Sequence, residues 1–259
     1  MGRLTMGDLT DTERAVVGAL GTGTWLDLGE HRDPVVRAEL IRQLAAGWFA
    51  WPGDELPDPR GIRLRGARIP DVLDLSEMES SLPLRLVDCQ VSGPVLLIGS
   101  RLCTVDMSGL EAGGVAAQEL RLERSLLLRR ARLRATSSYA ALHLGGSDLG
   151  GRLDLGGAEL ISPEGSALGA SNLRAGGGVF LTEGFRAEGR GELGTVRLPG
   201  AELGGQLNMS GARVTNPKLR EPAVLPARRR PRRHRARTRR PPGPHRAAEG
   251  PAAARGAPG

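Results

Sequence analysis

Ile62-Arg-Leu-Arg-Gly-Ala-Arg-Ile69-Pro-Asp-Val-Leu-Asp-Leu75 is the stretch that decides the fold. It holds two apolar doublets, Ile62-x-Leu64 and Leu73-x-Leu75, with a half-beat, Ala67-x-Ile69, between them. The doublet returns at Leu84-x-Leu86, Val95-x-Leu97, Leu142-x-Leu144, Leu153-x-Leu155, Val196-x-Leu198 and Leu207-x-Met209. The half-beat returns at Cys89/Val91, Ser147/Leu149, Ala158/Leu160, Ala201/Leu203 and Ala212/Val214. Side chains two apart share one face of an extended segment, so a new doublet every five or six residues means that the chain has turned a corner in between. Four such sides predict a coil of about 20 to 22 residues, stacked on the last at ~4.8 Å. About seven coils between Ile62 and Val214 then make an all-β, parallel β-helix on the order of 35 Å long, in which each coil needs its neighbours to bury its apolar face.

The same spacing at eleven residues also fits a helical repeat of about 3.67 residues per turn. Gly66, Gly157, Gly200 and Gly211, each followed by alanine, argue against helix, since glycine there costs about 1 kcal/mol relative to alanine and the chain holds 38 glycines. At β-corners glycine supplies positive φ or close backbone approach. A leucine-rich repeat shares the Leu-x-Leu strand but also asks for a convex helical half and an inward asparagine, which are missing at the expected offsets.

The units Leu64-Arg-Gly-Ala67-Arg-Ile69, Leu155-Gly-Gly-Ala158-Glu-Leu160, Leu198-Pro-Gly-Ala201-Glu-Leu203 and Met209-Ser-Gly-Ala212-Arg-Val214 resemble degenerate pentapeptide repeats, in which a small residue is followed two positions later by Leu or Phe. That resemblance implies a right-handed, four-sided β-helix, although steps alternating between five and six residues depart from the family's pattern. The layout over roughly residues 8 to 220, a short helical N-terminus and then Gly-Ala-x-Leu coils, also resembles a group of actinobacterial proteins that carry the label oxidoreductase or membrane-associated oxidoreductase.

The formal charge of +7 suggests nucleic acid until it is divided along the chain. Residues 1–51 carry 5 Arg and 7 acids, residues 52–222 carry 20 basic and 21 acidic side chains, and residues 223–259 carry 11 Arg and one acid, Glu249. The repeat is therefore near neutral, and nucleic acid is not expected as a partner except through the tail. From about Pro226 the tail has no Leu, Ile, Val, Met or aromatic residue, a composition that predicts disorder. Arginine, proline, alanine and glycine without lysine also fit shifted-frame translation after about Leu225.

Three regions follow: a helical cap over 1–51, the β-helix over 52–222 and the tail over 223–259. In the first, Thr10-Asp-Thr-Glu13 reads as a capping box before a helix from Arg14 to Leu20. Asp33-Pro34 reads as the start of a second helix through Ala45, with Val35, Val36, Leu40, Ile41 and Leu44 as its apolar stripe and Gly47 ending it. Trp25-Leu-Asp-Leu28 between them fits a first strand, and Trp25, Trp48 and Trp51 are expected to cover the first coil. Neither a secretory signal nor an apolar run of about 18 residues is visible, so a cytoplasmic location is expected, with peripheral membrane contact through the tail left open.

Residues that carry chemistry are sparse. Cys89 takes a small inward position, Cys103 faces outward at a corner, and their spacing matches no zinc pattern. His31 precedes the second helix, His234 and His245 lie in the tail, and His143 points outward between Leu142 and Leu144. Asp74, Asp154 and Asn208 take the same outward place, as soluble exterior or as a shallow binding row. Gly21-Thr-Gly23 lacks the third glycine and the following helix of a dinucleotide loop, and Gly176-Gly177-Gly178 reads as a corner or inserted loop. No catalytic, cofactor-binding or metal-binding residue is assigned. The expectation is a noncatalytic β-helical scaffold or interaction module with a protein partner or self-association. The alternative is an oxidoreductase, with a site in the N-terminal unit or the irregular stretch 161–195.

Overall fold

The computed structural model describes residues 2–53, 56–135 and 140–218, with the backbone alone of Val224–Leu225 and Arg228–Arg229. The doublets become short parallel strands on four faces of a β-helix. Face 1 holds eight strands, from Leu26–Asp27 and Ile62–Arg65 to Leu207–Asn208. Face 2 runs from Arg68–Ile69 to Arg213–Thr215, face 3 from Leu73–Asp74 to Val224–Leu225, and face 4 from Glu79–Ser80 to Arg228–Arg229. Each strand pairs with the one a coil later, so inward positions align into apolar ladders. On face 1 the ladder is Ile62, Leu84, Val105, Leu126, Leu153, Val179 and Leu207.

Coil length departs from expectation halfway up. From Ile62 to Leu84, Val105 and Leu126 the steps are 22, 21 and 21 residues, but to Leu153, Val179 and Leu207 they are 27, 26 and 28. The extra residues enter at one corner, between faces 2 and 3. There Pro70–Val72 suffices in the first coil, whereas 163–167 and 190–195 are needed later. Hydrogen-bonded ladders on both sides hold the register across these insertions.

Two other corners are closed by a left-handed residue in every coil. Between faces 1 and 2 it is Gly66, Asp88, Gly109, Arg130, Gly157, Gly184 and Gly211, with φ between 51° and 80°. At Gly66 glycine is also required by space, since a Cβ would lie 2.8 Å from Gly29 Cα. Asp88 and Arg130 take the same conformation with a side chain, at a cost of about 1–2 kcal/mol each.

The N-terminal region closes the lower end. Helix α1, Asp11–Thr22, is capped by Thr10, whose hydroxyl accepts from Glu13 N–H while the Glu13 carboxylate accepts from Thr10 N–H. The expected capping box is therefore present. Helix α2, Ala38–Ala45, begins later than the Asp33-Pro34 signal suggested. Residues 34–36 stay extended because they pair with the open edge of face 2: Arg68 N–H donates to Pro34 O and Val36 N–H to Arg68 O. Leu26–Asp27 covers the edge of face 1 in the same way. Val16, Val17 and Leu20 of α1 and Leu40, Ile41 and Leu44 of α2 join the solenoid core. The tryptophans do so less than expected. Trp25 and Trp48 are 46% and 51% exposed, under the guanidiniums of Arg65 and Arg42, while Trp51 packs edge-on against buried Phe49. Beyond Lys218 only two two-residue strands are described, so the expectations of disorder and a shifted frame lie outside the described residues.

Candidate functional site

Asp74, Asp154 and Asn208, expected as exterior or as a binding row, share a local task with Asp106. Asp74 accepts from Ser76 N–H, Asp106 from Ser108 N–H, Asp154 from Gly156 N–H and Asn208 from Ser210 N–H. Each side chain thus bonds the backbone two residues on, just before a left-handed corner residue at Glu77, Gly109, Gly157 or Gly211. They fasten corners. Asp154 departs further from the expected solvated exterior, being only 7% exposed and paired with Arg152, whose guanidinium lies over the Phe180 ring.

The other singled-out residues are also structural. Cys89 is buried and its thiol is pushed up to about 12 by burial, against the hydrogen bonds and with the charge of Asp88 adding to the rise. Cys103 is partly buried, and both thiols are free. Gly23 ends α1 in the left-handed conformation, accounting for the glycines of Gly21-Thr-Gly23. Gly176 forms a corner so tight that a Cβ would lie 2.3 Å from Gly150 O. Among the described residues no three His, Cys, Asp or Glu side chains gather as a metal site, and no helix is long and apolar enough to cross a membrane.

The four faces differ in their outward rows. On face 2 the row is Arg68, Gln90, Glu111, Arg132, Glu159, Arg186 and Arg213, with Arg132 2.6 Å from Glu111. On face 4 it is Glu79, Arg101, Arg121, Asp148, Arg174 and Glu202. Face 3 instead presents Asp74, Leu96, Ala116, His143, Gly169 and Arg197, with Val72 exposed beside it. Its middle carries no charge over four successive rungs, from Leu96 to Gly169.

The upper part of face 3 meets the inserted corners. There a groove of about 390 Å³ is lined by His143, Ser166, Gly169, Ser171, Leu193 and Arg197, among others. The two insertions are tied together: Arg190 and Gly191 N–H both donate to Gly165 O, and the Ser166 hydroxyl to Gly194 O at 2.7 Å. Two glycines make room for the imidazole, since a Cβ on Gly169 would lie 3.3 Å from His143 Cδ2 and one on Gly145 3.2 Å from Nε2. Burial, and then the charge of Arg197, hold the His143 pKa below its ordinary value. Four buried side-chain polar atoms lack a partner among the described residues, and two of them belong to the lining of this groove: His143 Nδ1 and Arg197 Nε.

Sequence reasoning placed His143 outward, which is correct, but left it as an isolated solvated side chain and passed over Arg197 and Ser171. The available signal was the lengthened spacing before Leu142, Leu168 and Val196, which marks where the wall residues enter. Compared with known proteins, the chain matches no family model, no curated protein and no solved structure. The parallel solenoid agrees with the pentapeptide-like repeat, whereas no family or relative supports the oxidoreductase resemblance.

Proposed function

We propose that the protein is a noncatalytic scaffold that docks a protein partner on face 3. The contrast between outward rows carries this reading. Faces 2 and 4 are ribbed with long charged side chains, which must be desolvated or displaced before a partner can approach. Face 3 offers Leu96, Ala116 and Gly169, side chains short enough for a flat surface to reach the sheet, with exposed Val72 and Leu193 at its margins. Such a patch, apolar at its centre and bordered by Asp74 and Arg197, has the composition of an interface core with a polar rim. The test is site-specific photo-crosslinking in the native host, with the crosslinker at position 116 on face 3 or 159 on face 2. One protein captured from position 116 but not 159, and lost when Leu96→Glu is added, supports the scaffold. Equal capture from both positions, or from neither, sinks it.

A further inference from the structure

We propose that the groove at the top of face 3 binds a carboxylate, held by the Arg197 guanidinium between His143 and Ser171. This deepens the docking reading by naming the group a partner would place there, and rests on it only for the carboxylate's source.

The argument begins with Arg197 itself. Most arginines of the described residues are either paired, as Arg132 is with Glu111, or exposed to solvent, as Arg101 and Arg121 are. Arg197 is partly buried, its side chain makes neither a hydrogen bond nor an ion pair among the described residues, and its Nε is buried without an acceptor. A guanidinium withdrawn from water without an acceptor is costly, so an oxyanion at the mouth of the groove gains what this side chain lacks. The two terminal nitrogens, which unlike Nε are not shut off from solvent, form an edge that carboxylates engage with two parallel bonds.

The surroundings select the kind of anion. Ser171 lines the groove one rung above Gly145 in the stack beside the His143 row. His143 contributes a further unpaired buried polar atom, Nδ1, to the same groove. Glu192 also lines the groove, so the site offers one guanidinium, an imidazole held toward its neutral form, and an opposing carboxylate on the rim. With Glu192 on the rim the lining has no net charge, so Arg197 can hold a singly charged oxyanion by direct contact, whereas a phosphate dianion would call for a second cation. Gly169 supplies the floor, leaving open the space between His143 and Arg197 that any larger residue on that rung would fill.

The experiment is a titration of the full-length protein with acetate at constant ionic strength, following the ring nitrogen signals of His143 by NMR. A saturable shift is expected with acetate and none with acetamide. Arg197→Gln is expected to weaken acetate binding at least about tenfold, while Arg186→Gln, an exposed arginine on face 2, leaves it unchanged. Arg197→Lys, which keeps the charge but not the fork, is expected to fall between, and the wild-type titration needs no variant to fold. Tighter binding of an N-acetylated dipeptide than of acetate assigns the carboxylate to a peptide; equal binding assigns it to a free acid. A linear, unsaturating response in the wild type, equal affinity in Arg197→Gln, or tighter binding of inorganic phosphate than of acetate would overturn the proposal. Saturation by acetate with no crosslink through position 116 would remove the docking reading and leave the site standing.

Discussion

The first three turns of the solenoid and the last three share four faces and one set of ladders, yet differ at a single corner. In the lower turns the passage from face 2 to face 3 takes two or three residues, such as Gly113–Gly114 or Pro70–Val72. In the upper turns it takes five residues at 163–167 and six at 190–195, and residues of both passages line the groove around His143 and Arg197. The difference shows how a repeat fold acquires individuality. Parallel ladders on each side fix the backbone, so inserted residues project outward at the corner without disturbing the core.

Packing inside the two halves gives the largest expected effect. The inward position following the face 1–2 corner is held by Ala67, Cys89 and Leu110 in the lower turns and by Ala131, Ala158 and the larger Phe185, all fully buried, in the upper ones. Phe185→Ala is expected to cost about 3–5 kcal/mol in denaturant unfolding, and Leu110→Ala, the largest lower-half counterpart, about 2–5 kcal/mol. A Phe185→Ala cost below that of Leu110→Ala would mean that the upper core collapses around the gap and that the two halves are not packed alike.

The lower half is also distinguished by its tie to the N-terminal helices. Glu13 is 1% exposed and takes hydrogen bonds from Arg37 Nε, Nη2 and backbone N–H and from Thr10 N–H. Burial by itself would raise its pKa, but these bonds and the Arg37 charge prevail and hold it below the ordinary 4.5. Its contribution to stability is therefore complete above that value and is lost as pH falls through the lower, folded value. Glu13→Gln is expected to cost about 1–3 kcal/mol at neutral pH and to flatten the acid limb of a stability–pH curve. An unchanged acid limb would show that other carboxylates carry it.

What was legible in the sequence follows the same division. Leu64/Leu86 and Val196/Leu198 could be read because stacked ladders require aliphatic residues at fixed offsets, and the core has no alternative way to fill those positions. The start of α2 could not, because Asp33-Pro34 satisfies local helix rules while the edge of face 2, distant in sequence, recruits residues 34–36 as strand. Asp154 was misread for a related reason. Its outward position follows from alternation, but its cover comes from Arg152 and Phe180, the latter on the next coil. Arg197 resembles every other outward arginine until the glycine one rung below and the 190–195 insertion are placed around it. Periodicity reports the direction of a side chain, and only the stack reports its neighbours.

Equivalent corners of successive turns should respond alike. Gly157 and Arg130 occupy equivalent left-handed positions, with φ of 69° and 55°. Gly157→Ala is expected to cost about 1–2 kcal/mol, and Arg130→Gly to gain up to about 1 kcal/mol, as measured by thermal unfolding. A loss on Arg130→Gly would mean that its side chain contributes more than its strained backbone costs.

The smallest expected effect on stability belongs to the groove and tests its electrostatics directly. Burial is the larger cause of the lowered His143 pKa and Arg197 the second. Arg197→Gln should therefore raise the pKa part of the way toward its ordinary value of 6.5, leaving the burial component in place. Because a histidine with a lowered folded pKa binds fewer protons than the unfolded chain, wild-type stability falls as pH drops through 6.5 and levels off below the folded value. Arg197→Gln should narrow that window while changing neutral-pH stability by no more than about 0.5 kcal/mol. NMR titration of the His143 ring reads the pKa without relying on unfolding. An unchanged pKa in the variant would separate the two side chains electrostatically, so that the upper half would keep its groove but lose the coupled pair that distinguishes it from the lower.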